Sequence, residues 1–168
     1  MSDLELPAPL AAPPSPNPND IIASTWGDWV HTEVLNRRIL AYAETTTNQG
    51  GIGSTGTDVT GLSFTVTTLA NRYYELSAGL YVTASVANSL LVGSLWVDGA
   101  QQAASGSASG AANYGITVAL RRIFKALAAG SHTFKVQLFC TLAATATVQA
   151  APTNPAFLTL RDLGPLAF

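Results

Sequence analysis

The chain has 168 residues, of which 48% are hydrophobic and only 11% charged, with a formal net charge of −2. An ordinary soluble domain carries about 25% charged residues, so this chain lacks the charge to keep a solitary surface wet, and much of that surface is expected to lie against other chains. The balance leaves no basic footprint for nucleic acid, and no apolar run approaches the roughly 18 residues of a membrane-spanning helix.

The N-terminus has no basic segment followed by an apolar core, so it does not read as a secretory signal, and the chain is expected to be made in a cytoplasm. Six of the nine prolines fall in residues 1–20. Proline lacks a backbone donor and fixes φ, so this stretch is expected to be an extended arm rather than a helix or inner strand. Leu4, Leu6 and Leu10 are its candidate anchors on a partner.

Residues 21–44 carry apolar side chains at mixed steps of three and four, the spacing of a helix. Thr25 followed by Asp28 suits the N-terminus. Trp26, Trp29, Val30 and Val34 are the candidate packing residues. Residues 45–61 are rich in Gly, Ser and Thr and read as a linker. GGIGSTG within them has no following lysine in the phosphate-loop position and no leading apolar strand, which argues against a nucleotide site.

From residue 62 the period changes to two. Runs at 62–66, 74–82, 90–97, 100–104, 114–124, 132–142, 145–149 and 157–161 read as eight strands, with turns at Ala70-Asn71-Arg72 and Asp98-Gly99 and a loop over residues 105–112. Strands at such intervals with no helix between them predict a mainly β fold, an antiparallel eight-stranded jelly-roll sandwich over residues 62–168. In the 132–142 run, Phe134, Val136, Leu138 and Cys140 share one face. Phe139 sits on the other face and breaks its polar character. Trp96 falls in the 90–97 run and reads as core or interface.

Chemistry is sparse. One cysteine, Cys140, permits no intrachain disulfide and reads as a small buried hydrophobe. His31 and His132 have no serine in a nucleophile-elbow pattern to serve. The carboxylates after the helix are scattered, and neither an Asp-rich calcium loop nor a His/Cys cluster is present. Arg121, Arg122 and Lys125 form the sole cationic group, and alternation divides them between two faces. The reading is of a non-enzymatic protein with no catalytic residue, no cofactor and no metal.

NDIIASTWGDWVHTEV, TGLSFTVTTLANRYYELSAGLYVTAS and AAGSHTFKVQLFCTLAATATVQA followed by PAFLTLRDLGP resemble, in order, the opening helix, first strands and closing strands of small virion proteins of tailed bacteriophages. Their domain type is similar to the trimeric tumour-necrosis-factor-like jelly rolls. The resemblance spans roughly residues 19–165 and contains no catalytic motif. It implies a homotrimeric virion subunit, assembled in the host cytoplasm, that contacts other virion proteins. The tail or its tip is the first expectation and capsid decoration the second. A module that binds host-surface glycan or receptor is the third. Tyr73, Tyr81 and Phe139 are the candidate trimer contacts, and neither nucleic acid nor membrane insertion is expected.

Overall fold

A computed structural model describes residues 39–125, 127–141 and 143–165. The arm, its leucines, His31 and the four helix-packing candidates lie outside the described residues. Among the described residues there are ten strands: β1 (Ile39–Thr45), β2 (Gln49–Ile52), β3 (Thr57–Thr68), β4 (Arg72–Ala84), β5 (Leu90–Val97), β6 (Ala100–Ala108), β7 (Gly115–Lys125), β8 (Gly130–Cys140), β9 (Ala146–Val148) and β10 (Ala156–Pro165). The described residues are mainly β, in two antiparallel sheets, as the period-two runs predict.

Alternation places the core. Tyr74, Leu76, Ala78, Leu80 and Val82 of β4 point inward from the first sheet, and Phe134, Val136, Leu138 and Cys140 of β8 point inward from the second. They belong to one continuous cluster that joins the sheets. At Gly93 of β5 the sheets approach so closely that an added Cβ would lie 2.8 Å from Val118 and 3.1 Å from Leu120, both on β7. Tyr74 is fully buried, and its hydroxyl accepts from the Leu69 N–H at 2.8 Å and donates to the Leu69 carbonyl at 3.1 Å.

The first sheet is built around β4. β7 lies along one edge, and β10 and then β9 share the other. β1 pairs with β10, and β2 pairs with β9. The second sheet has the order β3-β8-β5-β6. β1 with β2, and β9 with β10, each fill the place of one interrupted strand. Eight strand positions result, wound 1-8-3-6 in one sheet and 2-7-4-5 in the other.

Three sequence expectations change. Residues 39–44, given to the end of the helix by their spacing, are strand. Their short apolar run fits either period, and pairing with β10 decides it. Residues 45–61 are not a bare linker, since they contain β2 and the start of β3. The Gln49 side chain stands in for a strand there: its Nε2 donates to the Asp58 carbonyl at 3.0 Å and its Oε1 accepts from the Thr60 N–H at 2.7 Å. That bonding spans a register shift in β3 where Gly61 takes a positive φ of 83°. Finally, the sandwich begins at Ile39 rather than at residue 62, and β6 runs to Ala108 through the first part of the expected loop.

The turn chemistry follows the sequence. Asp98 and Gly99 both have positive φ, 50° and 80°, as a two-residue hairpin requires, and Asn71 has φ of 56°. Among the described residues, no helix is long and apolar enough to cross a membrane.

Candidate functional site

The outer face of the second sheet carries a groove of about 340 Å³. Its origin is the order of side chains across three strands. Trp96 on β5 is level with Lys135 on β8 and Gln101 on β6. Ser94 is level with Gln137 and Ala104, and Val92 with Phe139 and Gly106. Bulky rings therefore stand at two ends, Trp96 on one strand and Phe139 on the next. Small or flat groups lie between them. Four residues of strand separate the two rungs, about 13 Å. A bulge in β6 between Ala103 and Gln101 breaks the alternation of that strand and sets Gln101, rather than Gln102, beside the indole.

The walls are held. The Trp96 indole N–H donates to Ser94 Oγ at 2.8 Å, and the Ser94 hydroxyl donates to the Gln137 carbonyl at 3.4 Å. Lys135 Nζ rests 5.9 Å from the centre of the Trp96 ring. The same ammonium pairs with Asp58 at 2.9 Å, and Gln137 Nε2 donates to Asp58 at 2.7 Å. Lys135 holds the Asp58 carboxyl below its ordinary range; burial opposes it, and the Gln137 hydrogen bond adds a smaller lowering. The remaining wall comes from Ser54 and Gly56 in the β2–β3 loop. The Cys140 N–H pins that loop by donating to the Gly53 carbonyl at 2.8 Å.

A second polar cluster lies at the β5–β6 hairpin. His132 Nδ1 is 2.6 Å from Asp98 Oδ2, and Nε2 is 3.0 Å from the Ala128 carbonyl. The other Asp98 oxygen accepts from the Thr133 N–H at 2.8 Å. His132 is thus committed to a turn, with both ring nitrogens taken up by acceptors there. Hydrogen bonding to Asp98 raises its pKa despite partial burial, and the Asp98 carboxyl is lowered in turn. Cys140 is fully buried, and burial pushes its thiol upward. Among the described residues no group of three metal-ligating side chains occurs.

The structure separates the candidate interface residues. Tyr73 and Tyr81 lie on the outer face of the first sheet, Tyr73 half-buried and Tyr81 exposed. Phe139 lies on the outer face of the second. Arg121 and Lys125 share the outer face with Glu75, and Arg121 Nε is 2.7 Å from the Glu75 carboxylate. Trp96 is not core: among the described residues it is half-buried, in the groove. The available signal was its phase, since Leu95 and Val97 point inward and Trp96 cannot follow them. Gln101, Gln137 and Ser94 carry no motif, and only strand pairing assembles them.

No protein-family model matches the chain, and no curated protein does. Solved structures similar to it include the structure of infectious bursal disease virus Gx strain, at 10% identity and TM-score 0.42, covering 76% of this chain and 36% of that one. The infectious bursal disease virus VP2 subviral particle is similar at 12% identity and TM-score 0.40, covering 76% of this chain and 38% of that one. The chain spans little more than a third of the length of these structures.

Proposed function

We propose that this chain is a structural subunit of a virion, built on a jelly roll and held in the particle by copies of itself and by other virion proteins. The strand order 1-8-3-6 and 2-7-4-5 supports the jelly roll. The observation that carries the structural role is the outer face of the first sheet. Tyr42 is 52% exposed there, Tyr81 40% and Ile123 44%, in a chain that is only 11% charged. Such a face on a charge-poor domain is suited to contact with another protein. Tyr73 and Tyr81, both on this sheet, are the proposed homotrimer contacts, whereas Phe139 lies on the opposite sheet in the groove and is left out of that contact.

Resemblance to tailed-phage proteins favours the tail tip. The proline-rich arm, with Leu4, Leu6 and Leu10, is the proposed tether to the particle. Counting labelled copies on virions tests this reading: a handful at one vertex fits a minor tail protein, whereas hundreds over the shell would make the chain a capsid decoration protein. Absence from purified virions would reject a virion role altogether. Deleting residues 1–20 is expected to leave the sandwich folded and abolish incorporation.

A further inference from the structure

We infer that the groove between Trp96 and Phe139 is a binding site for an uncharged sugar ring. Four features of this surface converge on that ligand. First, the volume of about 340 Å³ falls within the roughly 300–1,000 Å³ range of small-ligand pockets. Second, an aromatic ring stands at each end. The face of an aromatic ring is electron-rich, and it attracts the polarised C–H groups along one side of a pyranose. Trp96 is suited to this because its N–H is already satisfied by Ser94, which fixes the ring edge, and Lys135 lies over one face of the ring at 5.9 Å, leaving the other to stack.

Third, the floor and sides offer amides and hydroxyls that can exchange hydrogen bonds with sugar hydroxyls in either direction. Gln137 is oriented in advance, because its Nε2 bond to Asp58 turns Oε1 toward Gly56, where an added Cβ would lie 3.0 Å from that oxygen. Exposed Gln101 brings a second amide beside the indole. Fourth, none of the residues that line the groove is charged. The cation beside the indole, Lys135, is neutralised by Asp58 at 2.9 Å. An acidic sugar would find no unpaired cation there to offset the loss of water from its carboxylate.

The site is independent of the virion reading. A particle protein could use it to grip a host surface, and a free lectin could use it equally.

The test is binding of the full-length chain to an array of neutral and acidic glycans, followed by NMR titration of the best neutral glycan. Trp96→Ala is expected to weaken binding at least tenfold, and Gln137→Leu several-fold. Trp96→Phe, which keeps a ring, should retain most of the affinity. Thr153→Ala, at an exposed position in the β9–β10 loop, should leave binding unchanged. Thermal melting establishes that each variant is folded. Should Trp96→Ala not fold, the wild-type Trp96 indole resonance, assigned by its loss in Trp96→Phe, must shift on titration while those of Trp26 and Trp29 stay in place. The inference is overturned if no neutral glycan binds, if acidic glycans alone bind, or if binding leaves the Trp96 resonance unmoved. Virions carrying Trp96→Ala should hold the normal number of copies, so a failed array leaves the structural role untouched.

Discussion

His132 shows how a residue that suggests catalysis can be structural. Both ring nitrogens face acceptors, the Asp98 carboxylate at 2.6 Å and the Ala128 carbonyl at 3.0 Å. Only the protonated ring donates to both, which is why its pKa is raised. A raised histidine pKa adds stability that is fully present below the unfolded value of about 6.5 and is lost as pH rises through the folded value. Asp98 is lowered, so its share is present above its unfolded value of about 3.9 and is lost as pH falls. The pair therefore stabilises most between those two limits. Because the Asp98 side chain is 47% exposed, solvent screening holds the gain to no more than about 1 kcal/mol. The melting temperature of wild type is expected to exceed that of His132→Gln near about pH 5.5, with the gap narrowing in alkaline buffer. A gap that stayed constant with pH would show that the ring acts by shape alone.

At the scale of the element, β10 is the strand on which the first sheet depends. It pairs with β1 on one side and β4 on the other. Its last turn of register, between Asp162 and Gly164, is stabilised by Asp162. One carboxylate oxygen accepts from Arg72 Nε at 2.7 Å and the other from the Gly164 N–H at 2.9 Å. Both charged side chains are largely buried, at 13% and 6% exposure. Asp162→Ala removes an interior acceptor from two donors, and a loss of roughly 2–4 kcal/mol is expected by urea denaturation. A change below about 0.5 kcal/mol, the level of an ordinary surface substitution, would mean that water replaces the carboxylate. The same strand supplies Phe157, whose ring lies so close over Gly79 of β4 that an added Cβ would be 2.6 Å from it. Here glycine admits the neighbouring ring, which covers backbone that would otherwise meet solvent.

For the whole molecule, the question is which outer face meets which neighbour. The first sheet presents Tyr42, Tyr81 and Ile123, and the second presents the aromatic and amide groove. If the first face mediates self-association, Tyr42→Lys with Ile123→Lys should lower the mass seen by light scattering from trimer to monomer. Because both positions are exposed, the melting temperature of the separated subunit should change little. A wild-type chain that stays monomeric at micromolar concentration would refute the homotrimer. A trimer that survives both substitutions would move the contact to another surface.

The sequence by itself determined the class of the fold, the eight β-runs after residue 61, the inward face of β4 and β8, and the Asp98-Gly99 hairpin. Each is a local property: alternation reports which side of a strand is apolar, and turn residues report allowed φ. Tertiary structure alone made β1 and β2 strands, because β1 finds its partner β10 more than a hundred residues later, and the glycines of β2 give no periodic signal of their own. It likewise decided the groove. Trp96, Gln137 and Gln101 lie on three strands, and only their pairing register brings an indole and two amides to one surface. Side-chain period is written along the chain, whereas register between distant strands is set by the packing of the whole sandwich.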